Sequence, residues 1–199
     1  VEIEHHSVVN LVVGLSKAVY ATNRGRQMVV GLNGPLSFDT SVKQVIQMMR
    51  GEALDVVPER VRREAVEMMR YCREQGIDVL DLTPTMMKVV MSEEEAVEGL
   101  PGVVLIGGEK IERVMWEELE EMRSREVYNV YGPTECCVNA TAKRIGEGGK
   151  GKAVIGRALA GVEVYVLDGR KEVAGVGVVG EIYIGGKGVG RGYVKKAEE

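Results

Sequence analysis

The chain has 199 residues, 45% of them hydrophobic and 28% charged, with 26 lysines and arginines against 30 aspartates and glutamates for a net charge of −4. That composition is globular, with room for one good core and a small appendage, and it excludes a collagen-like or disordered chain. The acidic balance gives no overall pull toward nucleic acid, and no apolar run reaches the length of a bilayer span, so neither nucleic acid nor a membrane is an expected partner.

In chain order the elements alternate between helical and extended patterns. The opening Val-Glu-Ile-Glu-His-His has no basic region leading into an apolar core, so no secretory leader is expected and the cytoplasm is the expected compartment. Ser7 reads as the N-cap of a helix over 7–20 with Val8, Leu11, Val12 and Leu15 on one face. A strand over 27–32, a helix over 40–50 and a short strand over 53–57 follow. Pro58 opens a long helix that Gly76 ends. Residues 77–82 form a buried strand, and Thr83-Pro84 starts a helix running to Met91. A fully apolar strand over 103–106 ends at Gly107-Gly108, followed by a helix over 111–122 and a strand after Glu126. Beyond Gly146 glycine-rich turns separate β-branched runs at 161–167 and 180–184. The expected fold class is therefore α/β: residues 1–145 form a parallel-type sheet flanked by helices, and residues 146–199, starting after a glycine-rich link over 146–151, form a small antiparallel β-subdomain.

Three cysteines, two of them the adjacent Cys136 and Cys137, suit neither a disulfide framework nor a zinc knuckle, and reduced, partly buried thiols are expected. His5 and His6, being adjacent, point different ways on any regular element and do not read as a metal pair.

Residues 129–135 read Asn-Val-Tyr-Gly-Pro-Thr-Glu and carry the most chemistry in the chain. An apolar stretch precedes them and Gly132-Pro133 turns sharply, so a strand end presents an aromatic ring, a hydroxyl and a carboxylate to one cleft. An aromatic face can stack on a base, a threonine hydroxyl can donate to a phosphate oxygen, and a carboxylate can hold the magnesium that ATP carries. The alternative is a strand-to-turn junction that only bends the chain. For Asp39, the residues alone favour a helix cap, since Asp-Thr-Ser stands before an apolar-periodic run.

The heptapeptide resembles the fifth core motif of the adenylate-forming enzymes, in particular the amino-acid-activating adenylation domains of nonribosomal peptide synthetases. Other segments agree in order. Phe38-Asp39-Thr40-Ser41 is similar to the fourth motif and Leu105-Ile106-Gly107-Gly108-Glu109 to the turn near the adenine. Ile155-Gly156-Arg157 and the run over 180–193 resemble the sixth motif and its approach, and the segment over 4–10 resembles the one just after the family's phosphate loop. The phosphate loop itself, the later ribose-binding aspartate motif and the C-terminal subdomain with its lysine are not in these residues. The resemblance thus implies the middle of a larger enzyme, inactive alone, because the missing groups stabilise the charge that shifts among the phosphates.

The resemblance also implies roles. Asn129 meets the adenine amino edge, Tyr131 stacks on the base, Thr134 contacts the α-phosphate and Glu135 binds magnesium, with Thr134 and Glu135 the catalytic pair. Gly107, Gly108 and Gly132 admit the nucleotide closely. Asp39, beside Phe38, binds the substrate's α-ammonium group, which separates amino-acid activators from acyl- and aryl-CoA ligases. The family's selectivity positions fall on Asp39, Thr40, Lys43, Asp81, Leu105, Gly107, Val130, Val138 and Asn139, a set similar to pockets that accept glutamate, with glutamine close. Lys43 lies one helical turn past Asp39 and so can project into the same cleft. A buried lysine needs an anionic partner, which favours an acidic or strongly hydrogen-bonding substrate. If Asp81 pairs with Lys43 instead, glutamine or another polar side chain fits better. If Lys43 lies on the solvated face of its helix, it has no such role. The implied reaction uses ATP and Mg2+ to form an aminoacyl adenylate, then loads phosphopantetheine on a peptidyl carrier domain of the same parent chain, alongside condensation domains. An acyl- or aryl-CoA ligase and a non-catalytic scaffold are the alternatives.

Overall fold

Short aliphatic runs separated by helices pair in parallel, because each helix carries the chain back to the same end of the sheet before the next strand begins. The computed structural model describes residues 1–21, 25–148 and 151–195, and in it these runs are β1 (Val29–Leu32), β2 (Ala53–Val56), β3 (Val79–Leu82), β4 (Val103–Ile106) and β5 (Glu126–Tyr131). They lie in the order β2-β1-β3-β4-β5 and are parallel throughout. Two antiparallel strands, β6 (Thr141–Arg144) and β7 (Arg157–Ala158), extend the sheet beyond β5. A separate antiparallel pair is made by β8 (Val162–Leu167) and β9 (Glu181–Gly186).

All four residues of β3 and of β4 are buried, as strands covered on both faces must be. Alternation along the strands divides the core. Leu80, Leu82, Val104, Ile106 and Val127 pack with Met68 and Met69 of α3 (Ala65–Gln75), Met87 of α4 (Pro84–Met91), Ala96 of α5 (Glu94–Glu98) and Trp116 of α6 (Arg113–Glu121). Val79, Val103, Leu105, Tyr128 and Val130 join the other cluster, with Leu11 and Leu15 of α1 (His5–Ala18). The buried Trp116 indole donates to Glu120 Oε1 at 2.9 Å, so burying its N–H leaves no donor unmet. Among the described residues no helix is long and apolar enough to cross a membrane.

Two helix ends follow the sequence closely. Thr83 Oγ1 accepts from Met86 N–H at 3.2 Å, with Pro84 in the first turn of α4, and Gly76 closes α3 in the left-handed region at φ 65°. Other boundaries differ. The first helix begins at His5, so Ser7 is not its cap; Ser7 is buried, with its hydroxyl 3.5 Å from the Val189 carbonyl. The helix expected from Pro58 starts only at Ala65. Residues 59, 60 and 62–64 are charged and leave Val61 alone to bury, so the stretch folds as turns in which the N–H groups of Val61 and Arg62 both donate to the Pro58 carbonyl. The helix over 40–50 is α-helical as α2 (Thr40–Val45) and then tightens into a 3-10 turn, Ile46–Arg50, ended by Gly51 at φ 84°. Helix α5 and strands β6 and β7 were not expected. β6, Thr-Ala-Lys-Arg, has no apolar alternation and owes its conformation to pairing with β5. Residues 149 and 150 of the glycine-rich link lie outside the described residues, and β7 beyond it hydrogen-bonds to β6.

Leu80, fully buried between β1 and the α3–α6 layer, sets the expected scale of core loss. Leu80→Ala should cost about 3 kcal/mol in urea unfolding, whereas Val176→Ser, at a fully exposed position, should change stability by less than about 0.5 kcal/mol.

Candidate functional site

In a parallel sheet the loops that leave the C-terminal strand ends open into a crevice, and ligands bind there. The segments Asn33-Gly34 after β1, Thr83 after β3, Gly107-Gly108 after β4 and Gly132-Pro133 after β5 all line cavities at that edge. The larger cavity, about 560 Å³, is walled by Phe38, Asp39, Thr40, Lys43, Asp81, Gly107, Val130, Val138 and Asn139, among others. The smaller, about 410 Å³, is walled by Asn129, Tyr131, Pro133, Val154 and Ile155 among others. Gly108, Glu109, Val130 and Gly132 line both, so the two spaces adjoin. The glycines are required: a Cβ on Gly107 would lie 2.6 Å from the Val130 carbonyl oxygen, and one on Gly132 would lie 2.6 Å from the backbone nitrogen of Ala140.

Asp39 stands at the N-cap position of α2 but its side chain makes no capping hydrogen bond. Its Oδ2 instead accepts from Thr134 Oγ1 at 2.6 Å, joining segments 95 residues apart. The 2.6 Å length is that of a charge-assisted O–H···O⁻ bond. Thr134 and Glu135 themselves do not line either cavity; Thr134 reaches the larger one through Asp39.

Lys43 is buried rather than on a solvated helix face, with Nζ 2.5 Å from Asp81 Oδ1. A polar cluster fixes this pair. Gln44 Nε2 donates to Asp81 Oδ2 at 3.0 Å and to Asn33 Oδ1 at 2.7 Å, and Asn33 Nδ2 donates to the Asp81 carbonyl at 2.7 Å. The floor of the larger cavity therefore holds a charge pair of zero net charge. The buried Asn139 Oδ1 has no hydrogen-bond partner. Leu105 does not line the cavity; it is 1% exposed and packs in the core beneath it.

On the smaller cavity, Asn129 Nδ2 donates to the Val154 carbonyl at 2.8 Å, which leaves Oδ1 as an acceptor. Tyr131 is 37% exposed and lines the cavity. Glu135 accepts a hydrogen bond from the Tyr193 hydroxyl, and this bond above all holds its carboxyl below the usual range. After the 3-10 turn Thr134–Cys136 the backbone passes through two consecutive non-glycine residues in the left-handed region, Cys137 at φ 56° and Val138 at φ 70°. Such conformations cost on the order of 1–3 kcal/mol each and concentrate at functional segments; here the reversal delivers Val138 and Asn139 to the cavity wall. Burial pushes the Cys137 thiol up to about 11, with the nearby Asp39 charge adding to the effect, and all three cysteines are free and buried.

Several contributing residues were not singled out by sequence. Gln44 and Asn33 position Asp81, Tyr193 covers Glu135, and Arg62 lines the larger cavity. Only Gln44 had a readable signal, as a polar residue next to Lys43 in a short helix. The others come from loops.

A family model described as AMP-binding enzyme matches residues 1–194. The chain is 41% identical over its whole length to the AMB antimetabolite synthetase AmbE of Pseudomonas aeruginosa, and 35% identical to surfactin synthase subunit 1 of Bacillus subtilis. It spans only 9% and 6% of those proteins. Among solved structures, a holo four-domain nonribosomal peptide synthetase bound to AMP and glycine superposes with a TM-score of 0.84 at 28% identity, over 98% of this chain and 14% of that one. The N-terminal subdomain of NpsA from Klebsiella oxytoca, in complex with 3-hydroxybenzoyl-AMSN, shares the fold at a TM-score of 0.78 and 20% identity, over 96% of this chain and 47% of that one.

Two outcomes follow from the buried groups. Lys43→Met strands the Asp81 charge and should destabilise by about 3–5 kcal/mol in urea unfolding, while the double variant Lys43→Met, Asp81→Leu should regain most of that loss. In native protein at pH 8 the three thiols should react with Ellman's reagent only slowly, then all react on denaturation.

Proposed function

Because this chain belongs to the AMP-binding enzyme family and is of the nonribosomal peptide synthetase adenylation type, we propose that it contributes the nucleotide and amino-acid pockets of an amino-acid-activating enzyme. The smaller cavity takes the adenine, with the Tyr131 ring on the base and Asn129 Oδ1 accepting from the amino edge. The larger takes the amino acid, with Asp39 pairing its α-ammonium group. The observation that carries this reading is the Thr134–Asp39 hydrogen bond beside two cavities that share Gly108 and Gly132. Asp39 lines the larger cavity only, and a substrate ammonium on it would bring the adjoining carboxylate toward the wall shared with the smaller one, where the α-phosphate would lie.

The residues fit ATP and magnesium. Gly107 and Gly132 let the wall segments pack against Val130 and residues 138–140, and at Gly108, which lines both cavities, the space beside Cα is open, which suits close approach of a ligand. Glu135 supplies one carboxylate, and a Mg2+ carried by phosphates and water needs only one or two from protein. The ion neutralises phosphate charge when bound. Glu135 would hold it, Thr134 would turn its hydroxyl from Asp39 to a phosphate oxygen, and Asp39 would then be free for the ammonium group. The substrate carboxylate oxygen attacks the α-phosphorus, the bond to the bridging oxygen breaks and pyrophosphate leaves with its electrons. The carboxylate is already ionised, so no side chain need act as a base, and rate comes from positioning and charge neutralisation. The aminoacyl adenylate would pass to the phosphopantetheine thiol of a peptidyl carrier domain, with condensation domains in the same parent chain, in the cytoplasm. The Lys43–Asp81 pair supports a polar side chain, glutamate or glutamine, over an apolar one, since an aliphatic side chain would leave the remaining N–H donors of the Lys43 ammonium without an acceptor.

The test is amino-acid-dependent ATP–pyrophosphate exchange by the full-length protein, with fatty and aryl acids alongside. Exchange with a polar amino acid is expected, and Asp39→Ala should lower its kcat/KM by roughly 100-fold or more, through the unpaired ammonium group. Exchange driven only by fatty or aryl acids would overturn the reading, and absence of ATP·Mg binding by calorimetry would mark a non-catalytic scaffold.

A further inference from the structure

The larger cavity is lined by five charged side chains, Asp39, Lys43, Arg62, Asp81 and Glu109. Four are engaged. Asp39 accepts from Thr134, Lys43 and Asp81 pair with each other, and Glu109 Oε2 accepts from the Thr85 hydroxyl at 2.6 Å and the Thr85 N–H at 3.1 Å. Arg62 differs. It is half-buried, and its guanidinium makes no hydrogen bond or ion pair at contact distance among the described residues. Glu59, the acid of the same loop, is bound by Arg63, and Arg62 acts on it only as a more distant charge.

We propose that Arg62 is a specificity-determining residue that binds the side-chain carboxylate of a dicarboxylic amino acid, so that the larger cavity prefers the acid to its amide. This rests on the larger cavity being the amino-acid pocket. Free donors carry it. Once Asp39 holds the α-ammonium group and Lys43 is cancelled by Asp81, Arg62 and Glu109 remain; Glu109 already accepts from Thr85, so the Arg62 guanidinium is the charged group whose donors are left for a ligand. A carboxylate matches its planar fork of donors, while an amide offers one acceptor oxygen and brings no charge. Met68, Leu82 and Met86 line the same space and supply apolar surface for the methylenes that link the two ends of such a substrate. The cation stands on a fixed backbone: the N–H groups of Val61 and Arg62 donate to the Pro58 carbonyl at 3.0 and 3.2 Å, and Val61 is buried. Arg62 does not line the smaller cavity, which sets it apart from the nucleotide contacts.

The experiment is steady-state ATP–pyrophosphate exchange by the full-length protein with glutamate and with glutamine, for wild type, Arg62→Gln and Arg62→Lys. Wild type should prefer glutamate. Arg62→Gln should raise the KM for glutamate by roughly 10- to 100-fold, the range of a charge-assisted hydrogen bond, and shift the KM for glutamine far less. Arg62→Lys should restore part of the glutamate preference, and the KM for ATP should stay put in both. Equal losses with glutamate and glutamine, an unchanged glutamate KM, or a raised ATP KM would each overturn the assignment. Wild-type exchange with a non-acidic amino acid only would also overturn it while leaving the adenylation reading standing; no exchange with any amino acid would remove both.

Discussion

A parallel sheet covered by helices on both faces has nowhere to place polar groups except at its strand ends. Val79, Leu80 and Leu82 of β3 and the four residues of β4 are all apolar, and the one polar residue among these strands, Asp81, sits where the strand is about to leave the sheet. That position allows Lys43 and Gln44, reaching across from α2, to neutralise it and hydrogen-bond it without opening the core. The crevice, its charged floor and its glycine-lined walls all follow from this geometry. Burying the sheet on both sides concentrates chemistry at one edge.

The strands and their order of hydrophobicity were legible from sequence because β1, β3 and β4 are short, apolar and bounded by turn residues, and the caps at Thr83 and Gly76 use local chemistry that sequence states directly. The strands β6 and β7 were not, since Thr-Ala-Lys-Arg and Arg-Ala carry no periodicity and exist because β5 offers an edge. The turns over 58–64 were misread for the opposite reason: Pro58 is a good first helical residue, but the charged run after it has almost nothing to bury.

Within the site, the residues of the heptapeptide and of the segment around Asp39 were readable as a group, and the structure gathers Asp39, Thr40, Lys43, Asp81, Val138 and Asn139 about one cavity and Asn129 and Tyr131 about its neighbour. Whether Lys43 faced solvent, substrate or Asp81 was open in the sequence, because helical spacing fixes a face but not what stands opposite it. In the structure Lys43 is buried, pairs with Asp81 at 2.5 Å and lines the larger cavity. Arg62 and Tyr193 were beyond reach, since each comes to the site on a loop whose path depends on packing elsewhere, Val61 under the one and the Glu2–Gly192 bridge beside the other.

The close seating of Gly132 against residues 138–140 makes the cavity wall and the sheet edge a single piece of architecture. Val138 and Asn139 belong to a segment locked by that contact, by left-handed backbone and by the hydrogen bond from the Ala140 N–H to the Tyr131 carbonyl at 2.8 Å. Thr40, by contrast, makes no side-chain hydrogen bond among the described residues, although Lys43 and Gln44 of the same helix are held by Asp81. Anyone grafting a new substrate preference onto this scaffold would find Thr40 forgiving, and Lys43 and the hairpin side brittle. Retailoring should begin at the former and borrow the latter whole from a donor sequence.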